Sequence, residues 1–451
     1  MGKTKQKQDR SHYLFSNQEL ANLIGPLVIE QLLAVFVGMA DSIMVANVGE
    51  AAVSGVSLVD NIMILIINIF AALATGGAVV AGQYIGRKDE KSACKAATQL
   101  VWFVSLSAVA IMILVYFGKD IILNQVFGHI TAEVKGHADI YLLIVTASIP
   151  FIALYNGGAA IFRAMGNSQV SMRVSLLMNA TGNAILVFGL RIGTAGVAIP
   201  TLISRMVAAI VITVLLCNQT RILHIERTLK IRFDGRMIRK ILAIGVPNGL
   251  ENSMFQLGKI LVLSLVSTFG TYAIAANAVS NAIALFQILP GMAISLAITT
   301  VISQCVGAND YEQVHYYLKK LLAIIYVAMV GTVALIFLAL PLILKAYNLS
   351  DQTAAAATNI IHFHGISAMI IWPLSFALPA AYRAAGDAKA CMYTSIVSMW
   401  IFRIGFSYLV GKYMGLGVFG VWVAMVIDWV VRAICFIIRY FNGKWKHGAI
   451  V

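Results

Sequence analysis

Charged residues are scarce in this chain of 451 residues, because Asp, Glu, Lys and Arg together make up only 12% of it. Ordinary globular proteins contain about 25% of these residues. Hydrophobic residues account for 60% of the chain, and its mean hydropathy is +0.86. So little charge and so much apolar side chain exclude a water-soluble globular domain and indicate a membrane protein.

Motifs that bind metals or nucleotides, or that hold a catalytic nucleophile, are also missing. The 5 cysteines are scattered without a C-x2-C pair, so neither a disulfide framework nor a zinc site is indicated. H-E-x2-H, G-x-S-x-G and G-x4-G-K-[ST] do not occur, which leaves an intramembrane enzyme and ATP-driven transport without support. His362 and His364 have no neighbouring acid and make a weak metal signal. We therefore predict no catalytic site, no metal site and no cofactor.

The apolar runs are long enough to cross a bilayer, which takes roughly 20 residues of helix. Lipid offers the backbone no partners, and the runs are too long and too uniformly apolar for barrel strands, so we predict helices. The twelve predicted spans are centred near residues 35, 67, 106, 150, 180, 206, 254, 287, 330, 369, 400 and 429. The first 18 residues are polar and basic and precede a span of full length, so no cleavable signal peptide is expected.

Lys and Arg residues outside the spans are concentrated in the segments on one side of the membrane. Because basic segments stay on the cytoplasmic side, both termini and the long basic linker are predicted to be cytoplasmic. The formal net charge of +14 then reflects contact with anionic lipid, and nucleic-acid binding is not predicted.

The chain nearly repeats itself at an offset of 221 residues. Pro26-x3-Glu30 returns as Pro247-x3-Glu251, and Gln83-x2-Gly86 returns as Gln304-x2-Gly307. Two copies of one membrane unit provide a place for a ligand at the seam between them, which is typical of secondary transporters.

A polar stretch without a spanning run, Asn218–Lys240, divides the chain into two parts of six spans each. We predict an N-terminal lobe at 1–218, a basic cytoplasmic linker at 219–240 and a C-terminal lobe at 241–451. An even number of spans gives both lobes the same orientation. The predicted fold is therefore an all-α membrane protein of twelve helices, with two six-helix lobes related by a pseudo-two-fold axis along the membrane normal.

A second duplicated motif ends the fourth span of each lobe, at an offset of 220. Arg163-x2-Gly166 matches Arg383-x2-Gly386. We interpret both as tight turns in which Gly supplies an open backbone and Arg meets lipid headgroups or helix-end carbonyls.

Four segments together resemble one known family, the multidrug and toxic compound extrusion (MATE) transporters of bacterial type. They are Phe36–Val45, Gly82–Gly86, Phe162–Asn167 and Ala275–Val279, and the likeness extends from about residue 15 to 440. The resemblance implies two lobes around a central cavity and export of mostly cationic, amphipathic compounds. It also implies coupling to inward flow of H+ or Na+, with no other cofactor, and a bacterial inner membrane.

Asp41 is the principal candidate for ion coupling. A carboxyl group among apolar and small residues such as Val37 and Ile43 is costly at membrane depth and is suited to exchanging a proton or a metal cation. In the family that the chain resembles, the matching Asp is the coupling acid of the N-terminal lobe. The alternative is an Asp at the outer mouth, since Gly49 follows only eight residues later.

Neutral oxygens in the fifth and sixth spans complete the predicted coupling site. Asn179 and Asn183 are spaced i, i+4 and share a helix face, and Thr201 is able to join them. These groups either ligate a cation and hydrogen-bond protonated Asp41, or hold the helices together. Part of the family has an Asp where this chain has Asn183, so the choice between H+ and Na+ stays open.

Two glutamates occupy equivalent places in the repeat. Glu251 is the predicted coupling carboxylate of the C-terminal lobe, one turn before Phe255, where many family members carry an acid. Glu30 lies three turns before Asp41 on the same face, as a second relay point or as a Glu near the cytoplasm that is satisfied by backbone or by Gln31. Asp41 itself is matched only by Val262 at the 221 offset, so the coupling prediction rests mainly on the N-terminal lobe.

Polar stripes on helices of both lobes predict a substrate cavity, and the alternative is that they hold the helices together. Besides Glu30, the predicted cavity residues are Asp60, Asn61, Asn68, Gln256, Asn277 and Asn281. Asp428 and Arg432 are spaced i, i+4 and are predicted to neutralise each other.

We therefore predict a monomeric antiporter that exports cationic or amphipathic small molecules by alternating access. The alternative is a flippase for lipid-linked precursors, which has the same broad architecture. A flippase that handles pyrophosphate headgroups needs several cations in its cavity, and the intramembrane cations here are Arg205, Lys259, Arg403 and Arg432.

Overall fold

The computed structural model of the chain describes residues 12–46, 48–128, 130–188, 193–226 and 232–451. For 40–46 and 186–188 it describes the helix to which they belong and not their side chains. Helices make up nearly all of this described part, and it contains no strand.

Each of the twelve predicted spans corresponds to a helix. The N-terminal lobe consists of α1 (Asn17–Ala46), α2 (Glu50–Gly86), α3 (Glu90–Phe117), α4 (Ala132–Thr146 and Ile149–Ala164), α5 (Ser168–Phe188) and α6 (Ala195–Leu216). The C-terminal lobe consists of α7 (Gly235–Ser267), α8 (Thr271–Gly307), α9 (Tyr311–Ala346), α10 (Asp351–Ala384), α11 (Ala388–Tyr413) and α12 (Gly417–Asn442).

Among the described residues, 9 of these helices are long and apolar enough to cross a membrane, and the two segments of α4 together make a tenth candidate. The remaining two, α5 and α7, are 21 and 33 residues long, which also suffices for a bilayer. The two segments of α4 are bent by 47° relative to each other. Pro150 lies at the start of the second segment, and proline cannot donate the hydrogen bond that would continue the first.

Equivalent caps begin α3 and α9. The Asp89 side chain accepts a hydrogen bond from the Ser92 backbone N–H, and Asp310 accepts one from Gln313, each at 3.0 Å. These bonds satisfy donors that a helix N-terminus leaves open, and those to Ser92 hold the pKa of Asp89 below its ordinary value.

The helix α7 begins at Gly235, inside the stretch that the sequence assigned to the linker. Asp234 causes this early start, because its side chain accepts from the backbone N–H groups of Arg236 and Met237. Asp234 also pairs with Lys95 on α3, and this hydrogen bond lowers the pKa of Asp234. The adjoining linker is fixed to α3 as well, because Gln99 donates to the carbonyl oxygen of Arg232 at 2.7 Å.

The seam between the lobes is formed by α1, α2, α7 and α8. The α2 and α7 backbones cross closely, since a Cβ atom on Gly76 would lie 2.5 Å from the carbonyl oxygen of Ile241. On the other side of the seam α1 packs against α8, and the rings of Phe36 and Phe286 lie 5.8 Å apart. The first helix of each lobe thus packs against the second helix of the other lobe.

Two non-spanning segments cross from one lobe to the other, and we call them the N-terminal and C-terminal straps. In the N-terminal strap, residues 12–16, the backbone N–H of Phe15 donates to the Tyr317 hydroxyl on α9 at 2.9 Å. In the C-terminal strap, residues 443–451, the backbone N–H of Ile450 donates to Gln83 Oε1 on α2 at 3.2 Å. Both straps lie at the same end of the bundle.

Candidate functional site

The duplicated Gln-x2-Gly motifs meet at the seam, in an arrangement that we call the junction. The last residues of α2 and α8 touch backbone to backbone there. A Cβ atom on Gly86 would lie less than 3.0 Å from the carbonyl oxygen of Gln304, and one on Gly307 equally close to that of Gln83. Only glycine permits this approach, and it closes one end of the seam, which we call the junction end.

The two glutamines of the junction each bind the opposite lobe. Gln83 Nε2 donates to the carbonyl oxygen of Ala384 at the end of α10, at 2.9 Å. Gln304 Nε2 donates to that of Ala164 at the end of α4, at 2.7 Å. Both side chains are buried. Each donates to a carbonyl oxygen at a helix C-terminus, where no backbone N–H of the same helix is left to bind it. The lobes are therefore joined by two equivalent, reciprocal contacts.

The arginines next to these alanines form ion pairs with the repeated glutamates. Arg163 Nη1 lies 3.8 Å from Glu30 Oε1, and Arg383 Nη1 lies 3.3 Å from Glu251 Oε2. The turns that the sequence predicts are confirmed, since φ is +79° at Gly166 and +95° at Gly386. The predicted partners of the arginines are wrong, because each side chain folds back toward a carboxylate of its own lobe.

Glu30 is buried, with 8% of its surface exposed, and it does not face an open cavity as the sequence suggested. Its carboxylate accepts from the hydroxyl of Ser171 at 2.9 Å and from that of Tyr155 at 3.4 Å. Neither the backbone nor Gln31 supplies these bonds. The position of Ser171 is taken by Cys391 in the other lobe at the 220 offset, and its thiol bonds to Pro379. Glu251 therefore has fewer hydrogen bonds than Glu30.

We predict that Gln304→Leu, which keeps the shape of the side chain but removes its donors, lowers the stability of the junction by about 1–3 kcal/mol. The carbonyl oxygen of Ala164 would then be buried without a partner. Thermal unfolding of the purified protein in detergent measures this loss. Gln352→Leu on the exposed start of α10 is the matched control. Equal unfolding temperatures for the two variants would contradict a stabilising role for the contact.

Three of the predicted coupling residues line one pocket, which we call the N-lobe pocket. Asn179 and Asn183 of α5 and Thr201 of α6 lie around a cavity of about 110 Å³, together with Val37 of α1. Asp41 follows Val37 by four residues, about one helical turn, and its side chain lies outside the described part of the structure. Arg205 lies at the edge of this pocket and donates to the Ser148 hydroxyl at 2.8 Å.

The other predicted cavity residues of the N-terminal lobe take different positions. Asp60 accepts a hydrogen bond from the Tyr141 hydroxyl at 2.9 Å and does not line the N-lobe pocket. Asn61 is exposed and Asn68 is partly exposed on α2. In the described part of the chain, Asn61, Asn68 and Gln256 line neither the N-lobe pocket nor its counterpart in the other lobe.

The counterpart, the C-lobe pocket, is the larger cavity, at about 300 Å³. Its wall includes Asn277 and Asn281 of α8, as the polar stripe predicts. Lys259 of α7 and Arg403 of α11 also line it, and the sequence identified both only as intramembrane cations. Trp422 of α12 donates from Nε1 to Asn277 Oδ1 at 3.0 Å.

Asp428 and Arg432 of α12 lie behind this pocket. Their ion pair is confirmed, with Arg432 Nε 3.1 Å from Asp428 Oδ1 and both side chains buried. His364 contacts Gln287, and among the described residues no cluster of His, Cys, Asp or Glu is able to hold a metal ion.

In the part of the chain that the structure describes, two repeated lobes of mostly apolar helices, with a polar pocket inside each lobe, define a multi-pass membrane transporter. A model of the family described as MatE matches residues 26–188 and 247–409, two stretches of equal length at the 221-residue offset. These stretches cover more than half of the sequence, so the chain belongs to the MATE family of transporters.

Full-length relatives agree with this assignment. The chain is 28% identical to the uncharacterized transporter YisQ of Bacillus subtilis, over 98% of this chain and 96% of YisQ. It is 22% identical to the probable multidrug resistance protein NorM of Thermotoga maritima, over 96% of this chain and 94% of NorM.

Solved structures share the fold. The outward-facing conformation of a multidrug resistance MATE family transporter of the MOP superfamily superposes with a TM-score of 0.88 at 22% identity, covering 94% of this chain and 95% of that one. The predicted family and twelve-helix fold are confirmed, and the relatives are transporters rather than enzymes.

Proposed function

We propose that this protein is an antiporter of the bacterial inner membrane that exports amphipathic small molecules in exchange for H+ or Na+. The observation that carries the proposal is the N-lobe pocket, where Asn179, Asn183 and Thr201 line one cavity with Val37, four residues before Asp41 in α1. Amide and hydroxyl oxygens are suited to hydrogen-bonding a protonated carboxyl group or to binding a hard cation. The monomer contains both lobes and is sufficient for the transport cycle.

Alternating access follows from the seam. The junction closes one end by backbone contact between α2 and α8. Placement of the basic segments supports assigning this end to the cytoplasm, with both termini on that side. Export then requires the junction to open for loading and to close for release. A coupling cation drives the cycle only if it binds the two states with different affinity.

We predict that Asp41→Asn abolishes gradient-driven efflux and leaves expression intact, because the amide can neither release a proton nor balance a metal cation. Gradient-driven uptake of dye into inverted vesicles, whose cytoplasmic face is outward, measures the effect. Asp120→Asn in an exposed segment after α3 is the matched control and retains full efflux. Undiminished efflux by the Asp41 variant would remove this residue from the coupling mechanism.

Separate proton and sodium gradients distinguish the coupling ions. In part of the family an Asp stands where this chain has Asn183, so this site has one carboxylate fewer. Efflux driven by a proton gradient in sodium-free buffer assigns H+, and efflux that requires a sodium gradient assigns Na+. Reconstituted protein is the preparation for this experiment, because endogenous antiporters interconvert the two gradients in cells.

A flippase for lipid-linked precursors is the second candidate, and one observation favours it. Lys259 and Arg403 lie together in the C-lobe pocket, where a pyrophosphate headgroup would require cations. The family resemblance implies cationic substrates, and this substrate class favours the exporter over the flippase. Efflux of ethidium-like dyes by the reconstituted protein supports the exporter. Failure with every cationic dye, together with scrambling of a labelled lipid precursor, would assign the flippase.

A further inference from the structure

The C-lobe pocket combines positive charge with apolar walls. Lys259 projects from α7, and Arg403 projects from a π-helical segment of α11, Met399–Gly405. The remaining lining is mostly apolar and includes Leu263, Leu285 and Met425. A volume of about 300 Å³ is that of a small-molecule site.

The ammonium group of Lys259 and the guanidinium group of Arg403 have no ion pair or hydrogen bond with any described residue. Both lie over the ring of Phe255, with Lys259 Nζ 5.1 Å and Arg403 Cζ 4.8 Å from its centroid. An aromatic face attracts a cation but does not neutralise it. The charges of both side chains therefore remain available to a ligand.

Asp428, an acid on the neighbouring helix α12, is engaged through its Oδ1 atom. Asp428 is fully buried, pairs with Arg432 and accepts from the Ser398 hydroxyl at 2.5 Å. One carboxylate thus faces three cations in this part of the lobe, which leaves two positive charges in excess beside the cavity. Unpaired charge at membrane depth is costly and marks a functional position by default.

The amide groups of the pocket add donors to the cations. The oxygen of Asn277 accepts from Trp422, which leaves the NH2 group of this amide to donate. Asn281 lines the same wall, one turn further along α8. Hydrogen bonds from cations and amides to a carboxylate or phosphate oxygen are strong, and Arg binds such groups in bidentate fashion.

The repeat shows that the scaffold does not require these cations. The 221 offset places Gly38 at the position of Lys259, and the 220 offset that matches the two arginine turns places Asn183 at that of Arg403. Asn281 of the pocket corresponds to Asp60. The N-terminal copy folds into the same helices with neutral residues or an acid at these positions, so the fold itself does not require a cation at either of them.

Together, the cavity, the two unpaired cations and the oriented amide carry one inference, which rests on the proposed transport function. We propose that the C-lobe pocket binds the anionic group of the transported amphiphile, a carboxylate or a phosphate, with Lys259 and Arg403 as its charge partners. The substrate of this protein then differs in charge from the cations that the family resemblance implies. The same chemistry is present in a soluble anionic amphiphile and in a lipid phosphate headgroup.

Binding of matched probes to the purified protein in neutral-lipid nanodiscs tests the proposal without an ion gradient. Octyl phosphate, octanoate and octylammonium have the same apolar chain and differ in charge. We expect saturable binding of the two anions and none of the amine. Lys259→Gln and Arg403→Gln each weaken anion binding at least tenfold, and Lys412→Gln at the exposed end of α11 does not.

A stability measurement separates recognition from a structural role. Because the ammonium group of Lys259 has no ion pair or hydrogen bond among the described residues and lies over the ring of Phe255, Lys259→Met retains or raises the unfolding temperature in the absence of anion. The variant also loses the thermal shift that octyl phosphate causes in the native protein. A lower unfolding temperature without anion, or an unchanged octyl phosphate shift, would overturn the proposal. So would equal binding of octylammonium and octyl phosphate to the native protein.

Competition distinguishes the two sources of the anion. If a soluble dicarboxylate displaces bound octanoate and a short-chain phosphatidic acid does not, the substrate is a soluble anion. If only the phosphatidic acid displaces octanoate, the ligand is a lipid headgroup. Both results support an anion site. The test is also independent of ion coupling. If the native protein binds no anion but its efflux depends on Asp41, only the proposal for the C-lobe pocket is refuted. Anion binding with unaltered efflux in Asp41→Asn refutes the coupling proposal alone.

Discussion

Gly307→Ala is expected to abolish export although it adds a single methyl group. The new Cβ atom would lie less than 3.0 Å from the carbonyl oxygen of Gln83, closer than real side chains approach a backbone. Because that oxygen belongs to a helix and not to a flexible side chain, the two helix ends must separate. Gly86→Ala meets Gln304 in the same way and is expected to have the same effect.

Separation of the helices leaves the junction end open. The transporter then binds substrate from that side but cannot close the junction for release. The thiol of Cys305, fully buried next to Gln304, reports this state. We expect a water-soluble maleimide to label Cys305 rapidly in Gly307→Ala and slowly in the native protein. Mass spectrometry of the labelled peptide identifies the site.

Gly331→Ala is the matched control for this experiment, because a Cβ atom on this α9 glycine meets nothing within 4 Å. It retains export and leaves Cys305 protected. Normal export by Gly307→Ala, with the protein folded and in the membrane, would show that the junction need not close by backbone contact.

Arg432→Met is expected to lower the free energy of unfolding by about 3–5 kcal/mol, because it leaves a buried carboxylate without its partner. Asp428 has no exposed surface, and its Oδ1 is the atom that Arg432 Nε binds. The change also removes a hydrogen bond to the carbonyl oxygen of Ser395, a smaller loss.

A double substitution isolates the charge. Asp428→Asn with Arg432→Met keeps an acceptor for the Ser398 hydroxyl and removes both charges, so it regains most of the stability that the single variant loses. Thermal unfolding in detergent measures each protein, and Arg236→Met on the exposed start of α7 is the control. A double variant no more stable than Arg432→Met would show that the loss comes from packing rather than from the buried charge.

Local patterns in the sequence sufficed for the helices and for one ion pair. The positions of the spans follow from apolar runs that must form helices in lipid. The ion pair between Asp428 and Arg432 follows from their i, i+4 spacing within one helix. The pairing of Arg163 with Glu30 joins helices more than 130 residues apart, and no spacing rule reaches that far. The repeat contains a usable signal, because the arginine and the glutamate are both retained in both copies.

Local sequence patterns could not predict the C-lobe pocket either, and the reason is different. Lys259 and Arg403 are visible in the sequence as membrane cations, but their common pocket depends on α7 lying beside α11. Hydropathy fixes which residues are in the membrane and not which face of a helix meets which neighbour. Asn277 and Asn281 line this pocket together, and their common helix face follows from a spacing of four residues.

The two straps have a consequence for how the protein is made. The ribosome adds Gln83 long before Ile450, and the N-terminal strap long before Tyr317. The first six helices therefore enter the membrane while these partners, and the glycine contacts of the junction, have yet to be synthesised. The N-terminal half completes its polar contacts with the C-terminal lobe only after residues 443–451 have been synthesised, so it exists first as a partly assembled intermediate.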